Sequence, residues 1–191
     1  MEGKFQNKYL LASARLQAWD YRWAAVYFIT ICTHDRYPYF GEIQNGKMIL
    51  SHAGVLADVL WHEIKNHTNH VELPAFVVMP NHVHGIFILH ETDADVPNVE
   101  TLQCNVSTTN PGKDEFMSRI SPKRGSVSAI IRSYRSAVAR HAHRLGYKFA
   151  WQTRFHDHII HNEKTYYTVY EYILNNAEKW AEDKFYYDRP V

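Results

Sequence analysis

Apolar positions along the chain fall into runs of two kinds, and their spacing predicts an order of elements. Ala25 to Thr33 (AVYFITICT) is dense in β-branched and aromatic residues and predicts a first strand. Asp35 to Gly46 interrupts it with Pro38, Gly41 and Asn45-Gly46, and reads as a loop or a short hairpin. From Ser51, a candidate N-cap, to about Asn66 the period becomes helical, with Val55, Leu56, Val59, Leu60 and Ile64 recurring on one face. After Pro74, Ala75 to Met79 and His82 to Leu89 flank a Pro80-Asn81 turn, which predicts a hairpin of strands two and three. On strand three, His82, His84, Ile86 and Ile88 share one face, while Val83, Gly85, Phe87 and Leu89 share the other. Both faces are apolar beyond the histidines, so the strand is expected to be central. Gly85 leaves room for another backbone or a ligand to come close.

A second helix is predicted from about Ser126 to Leu145, ending at Gly146, with Val127, Ile130, Ile131, Tyr134, Val138 and Leu145 as its buried stripe. Phe149 to Ile160, with Trp151 and Phe155, predicts strand four. Asn162 is a good N-cap for a third helix running to about Asn176. Its apolar face is Tyr166, Val169, Tyr170, Ile173 and Leu174. Tyr172 and Asn176, four apart, are neighbours at the border of that face.

Two stretches lack such a period. Residues 1–24 form an N-terminal arm in which Arg15, Trp19, Tyr21, Arg22 and Trp23 interleave. Such an arm can pack onto the sheet, or its arginines and aromatics can stack bases. Residues 91–122 form a long polar loop with Pro97, Pro111, Gly112 and Pro122. With 191 residues, the chain is expected to be a single domain, 1–191.

Composition changes this picture in three places. Hydrophobic residues make up 46% of the chain, enough for a core, yet no run approaches the ~18 apolar residues of a membrane span. Met1 to Gln17 is polar and shows no signal-peptide core, so a cytoplasmic chain is expected. The two cysteines, Cys32 in a strand and Cys104 in a polar loop, are not expected to form a disulfide. The net charge of +1 conceals an asymmetry, because no acidic residue occurs from Phe116 to His156. That window holds Arg119, Lys123, Arg124, Arg132, Arg135, Arg140, Arg144, Lys148 and Arg154. It reads as a phosphate-facing surface or as a solvated helix face whose acidic partners come from elsewhere.

His82-Val83-His84 is the strongest chemical pattern. Two imidazoles on one face of a strand make half of a metal site, although two strand histidines with ordinary hydrogen bonds fit the triplet as well. His156-Asp157-His158 has the same spacing but would place a carboxylate in the opposite layer, where the triplet needs an apolar anchor. His141-Ala142-His143 lies on a predicted helix, where positions two apart diverge. A third alternating histidine, as in a histidine-triad nucleotide hydrolase, is replaced by Ile86.

Three segments, in this order of elements, carry a family resemblance: Val78-Met79-Pro80-Asn81-His82-Val83-His84, Trp151-Gln152 with Arg154-Phe155, and Tyr172-Ile173-Leu174-Asn175-Asn176. They resemble the single-tyrosine HUH transposases, in which U is a hydrophobic residue. Within that group the chain is most similar to the REP-associated tyrosine transposases and related insertion-sequence enzymes, from about Leu16 to Trp180. The resemblance and the order of elements imply an α+β, ferredoxin-like fold. Its antiparallel sheet would carry helices mainly on one face, with the catalytic tyrosine on a C-terminal helix. The resemblance also implies that His82, His84 and Asn176 bind Mg2+ or Mn2+ and that Tyr172 is the nucleophile. Relatives usually have a proline where Ala177 stands, which bears on the helix stop more than on the chemistry.

The activity implied is metal-dependent cleavage and rejoining of single-stranded DNA next to hairpins through a 5′-phosphotyrosine, as in DNA transposition and recombination. Arg15, Arg124, Arg132, Arg135, Arg140, Arg144 and Arg154 are the candidate DNA contacts. Such a protein would work at the nucleoid, and a homodimer is left open. Two further readings remain: a hairpin-DNA-binding module without transposition, and a metal-dependent phosphodiesterase that uses water, with Tyr172 structural.

Overall fold

A computed structural model of the chain describes residues 22–91, 122 and 125–186, together with the backbone of the short strands β1 (Lys4–Phe5) and β2 (Lys8–Tyr9). Arg15, Trp19, Cys104, Arg124 and most of both the N-terminal arm and the 91–122 loop lie outside the described residues. The remaining strands are β3 (Ala25–Cys32), β4 (Gly41–Gln44), β5 (Lys47–Leu50), β6 (Val71–Glu72), β7 (Phe76–Met79), β8 (His82–Leu89) and β9 (His156–Ile160). The helices are α1 (His52–His62), α2 (Ile64–His67), α3 (Val127–Arg144) and α4 (Glu163–Leu174).

One antiparallel sheet organises these elements. β8 pairs with β3 along one side and with β7 and β6 in tandem along the other, and β3 pairs in turn with β9. β8 is therefore interior, as its two apolar faces require. The β7–β8 hairpin forms as expected around Pro80 and Asn81. The Asn45-Gly46 pair closes the β4–β5 hairpin with φ of 52° and 73°, the left-handed values that a tight two-residue turn demands.

The two faces of the sheet are covered differently. Tyr27, Ile29, Ile31, Val83, Phe87, Leu89 and Ile159 pack with Trp61 of α1 and Ile131, Tyr134 and Val138 of α3 in the main core. Tyr134 Oη donates to Ala57 O at 2.9 Å and ties the two helices together. The opposite face carries a smaller cluster of Ala75, Ile86 and Ile173, with Val26, Phe28, Ile88 and Val169 against it. That second face holds α4 and the histidines. The fold is thus α+β, with an antiparallel sheet, α1 and α3 on one face and the tyrosine helix α4 on the other.

Five local expectations are corrected. The inward stripe of α1 is Ala53, Gly54, Ala57 and Trp61, continued by Ile64 just beyond the helix, while Val55 and Val59 are exposed. The reason is the partner surface. Small residues let the helix come close, and an added Cβ at Gly85 would stand 2.2 Å from Trp61 Cζ2. Gly85 thus admits the Trp61 indole, not a backbone or a ligand. Leu145 lies past the last turn of α3 and is exposed, and Ala142 takes its place in the stripe. The fourth strand begins only at His156; residues before it touch the sheet through a single bridge, Thr33 to Trp151. On α4, Ile173 is buried but Leu174 is exposed and Tyr166 and Tyr170 are half-buried, because burial beyond Ile173 passes to Asn176 and Phe185.

No helix among the described residues is long and apolar enough to cross a membrane.

Candidate active site

Register places the site. His82 lies opposite Cys32 and His84 opposite Thr30 on β3. Directly opposed residues share a face, so these four side chains line the α4 side of the sheet. Both histidines are fully buried. His82 Nδ1 is 2.8 Å from Asn81 Oδ1, and since that oxygen only accepts, Nδ1 carries the proton and Nε2 holds a lone pair. Asn81 is itself anchored, its Nδ2 donating to Phe185 O at 2.9 Å. His84 Nδ1 is 2.8 Å from Thr30 Oγ1. Burial is the main force lowering both imidazole pKa values, His82 to about 3 and His84 well below 6.5. The positive charges of Lys184 and Arg36 add to the effect at His82, and His82 adds to it at His84. Both rings are therefore neutral at pH 7, the form that binds metal.

Tyr172, near the end of α4, reaches this pair. Its Oη lies 3.2 Å from His84 Nε2 and donates to Asp183 Oδ2 at 2.8 Å. Its ring packs edge-on against Phe28, 6.1 Å between centroids. Burial and the Asp183 carboxylate raise its pKa well above 10. Asn176 Nδ2 donates to the same Asp183 oxygen at 2.8 Å. Asp183 follows a single 3-10 turn, Trp180–Glu182, that swings the chain back over the sheet. The same return places Phe185 4.7 Å from the His82 ring and Trp180 6.0 Å from it, which closes the site from above.

The donor set fits a divalent cation. His82, His84 and Asp183 each offer a ligand atom, and these atoms lie within 4.8 Å of one another. Two atoms of the cluster, His82 Nε2 and Asn176 Oδ1, are buried with no hydrogen-bond partner among the described residues. Unpaired buried polar atoms are costly and call for a partner. Two imidazoles, a carboxylate and an amide oxygen are a donor set able to ligate a divalent cation.

Of the residues singled out in the sequence, His82, His84, Tyr172 and Asn176 come together. Asp183 and Phe185 were not anticipated. Asp183 lies past the predicted end of α4, so no helical period applies to it. The basic residues do not join this cluster. Arg132, Arg140 and Arg144 are exposed on α3, across the sheet from the histidines. Arg135 is not a free surface cation as expected, because Nη1 donates to Thr153 O at 3.2 Å and Nη2 to Gln152 O. His156 and His158 are exposed on β9, with Asp157 between them opposite Ile29 of the main core.

No protein-family model matches the chain. The fold is similar to that of a REP-associated tyrosine transposase solved bound to a REP hairpin. The two share a TM-score of 0.55 and 19% identity, over 91% of this chain and 77% of the other. At that identity the likeness concerns the fold. An uncharacterized protein of Haemophilus influenzae (strain ATCC 51907 / DSM 11121 / KW20 / Rd) is 32% identical over 180 residues, covering 92% of this chain and 93% of the relative. Identity at that level along nearly the whole of both chains makes this protein a member of the same family as the Haemophilus influenzae protein.

Proposed function

We propose that the protein is a single-domain, metal-dependent tyrosine transposase or endonuclease of the HUH type. It would cut and rejoin single-stranded DNA beside hairpins, with Tyr172 as nucleophile. The observation that carries this reading is the meeting of the Tyr172 hydroxyl with His84 Nε2 at 3.2 Å, although the two residues are 88 positions apart. The likeness in fold to a transposase bound to a DNA hairpin supports the same class.

His82, His84 and Asp183 would hold a divalent ion, with Asn176 Oδ1 close by as a further oxygen. When bound, the ion supplies positive charge to a phosphodiester whose own negative charge repels nucleophiles. The protein does the rest. Thr30 and Asn81 hold the two imidazoles in place through their Nδ1 atoms. Asp183 Oδ2 already accepts the hydrogen bond of the Tyr172 hydroxyl and so is placed to take the proton that Tyr172 must release. The phenolate oxygen forms a bond to phosphorus, the bond from phosphorus to the 3′ oxygen breaks, and that oxygen takes a proton from water and leaves as a 3′-hydroxyl. The 5′-phosphotyrosine keeps the phosphodiester energy, so the 3′-hydroxyl of another strand can reverse the step.

A denaturing gel with labelled single-stranded hairpin DNA and Mn2+ tests this. A covalent protein–DNA adduct is expected. Cleavage without an adduct would favour hydrolysis by water, and binding without cleavage a hairpin-binding module.

A further inference from the structure

A cavity of about 560 Å3 lies away from the histidine cluster, between the first half of α3 and the segment leading into β9. Ile131, Trp151 and Phe155 give its lining apolar surface, and Arg132, Arg135 and Arg154 bring three guanidinium groups to it. That combination suits a ligand with one flat apolar part and one anionic part. The volume is in the range of small-molecule sites. No acidic residue occurs anywhere from Phe116 to His156, the stretch that supplies the whole lining. An anion therefore meets no carboxylate from these walls.

The cavity wall is also fixed in shape. Arg135 is held by the carbonyls of Gln152 and Thr153, its guanidinium lies 5.9 Å from the Trp151 ring centroid, and Trp151 Nε1 donates back to Arg135 O at 3.0 Å. Arg135 Nε is a buried donor without an acceptor among the described residues. An arginine locked in this way is preorganised, so little side-chain entropy is lost when a ligand arrives. Arg132, about one turn earlier on α3, is exposed.

Position gives the cavity a role. Arg154 stands two residues before His156, which is opposite Thr30, which is opposite His84. With strands ~4.8 Å apart, His156 is about 10 Å across the sheet from His84. The cavity thus lies on the α3 side of the sheet, where the chain enters β9, within reach of a single strand bound at His84.

We propose that this cavity binds one unstacked nucleotide of the single strand that adjoins the cleaved phosphate. The base would lie against the apolar lining and the phosphate between Arg132 and Arg154. This inference rests on the DNA reading above, and its test avoids the chemistry of that reading. Fluorescence anisotropy in EDTA, without metal, measures binding of an eight-base-pair DNA hairpin with and without a six-thymidine tail. The tail is expected to tighten binding at least tenfold in the wild type. Ser136→Trp, which fills the cavity from an exposed lining position, should reduce the benefit of the tail to less than twofold. Arg132→Glu should do the same through charge. An undiminished tail effect in both variants overturns the assignment. Should either variant unfold by circular dichroism, photocrosslinking of a 5-iodouracil tail to the wild-type protein decides. Crosslinks within residues 128–136 or 151–155 support the cavity, and crosslinks confined elsewhere refute it. Thymidine 5′-monophosphate in competition separates the two sources of the same chemistry, since displacement at concentrations matching the hairpin's own affinity would mark a free-nucleotide site and overturn the proposal. Loss of adduct formation with an intact tail effect would instead defeat the transposase reading and leave the cavity standing.

Discussion

Asp183 Oδ2 accepts two hydrogen bonds, from Tyr172 Oη at 2.8 Å and from Asn176 Nδ2 at 2.8 Å. One carboxylate oxygen thus links the candidate nucleophile to the amide expected to be a metal ligand. The link also makes the roles of these residues separable by experiment.

Tyr172→Phe removes one oxygen and keeps the ring against Phe28. Loss of the hydroxyl should cost about 1 kcal/mol of stability, read by urea unfolding, and hairpin binding should persist. The covalent adduct should vanish from a denaturing gel. Tyr167, more than half exposed at 56%, is the control, and an adduct that depends on Tyr167 would show that the nucleophile is misassigned.

Calorimetric titration with Mn2+ distinguishes the third ligand. Asp183→Asn should weaken Mn2+ binding by at least about tenfold. Asn176→Ala should weaken it less, because its amide is turned to Asp183 through Nδ2. The reverse order would restore the amide oxygen as the principal third ligand.

The histidines are fully buried beneath Phe185 and Trp180, so a phosphodiester reaches them only when that segment moves. Phe185→Ala should speed adduct formation at saturating hairpin DNA while leaving the Tyr172 requirement intact. A slower rate with unchanged stability would mean that Phe185 helps to position the site.

Gly85→Ala would push a methyl group to 2.2 Å from Trp61 Cζ2 and 2.5 Å from Cη2. Overpacking of this kind costs about 1–3 kcal/mol. Trp61→Phe, which shortens the ring, should recover part of that loss in the double variant. Additive losses in a urea double-mutant cycle would contradict the contact.

Arg140→Glu with Arg144→Glu should weaken hairpin binding and flatten its salt dependence, with each lost phosphate contact lowering the slope by about one. Both arginines are exposed on α3. An unchanged slope would move the DNA off this helix.

Local pattern determined much of this protein. The period of two on β8 put His82 and His84 on one face, and the apolar residues on both sides of that strand made it interior. Ser51 and Asn162 cap their helices through side-chain oxygens, as short polar residues at helix starts do. These features depend on neighbours a few residues away, so one stretch of sequence carries them. The inward stripe of α1 was different. Val55 and Val59 have a helical period, but Gly85 on a distant strand makes space for Trp61 and turns the small residues inward. Arg135 reads as a surface cation until Gln152 and Thr153 fold over it. Asp183 lies outside α4, so no helical period relates it to Tyr172; a reversal of the chain after α4 brings it to the hydroxyl. Backbone periodicity describes which residues share a face of one element. Which faces meet, and which carboxylate closes a site from outside any helix or strand, is decided by packing between segments far apart in the chain, and only the tertiary structure holds that information.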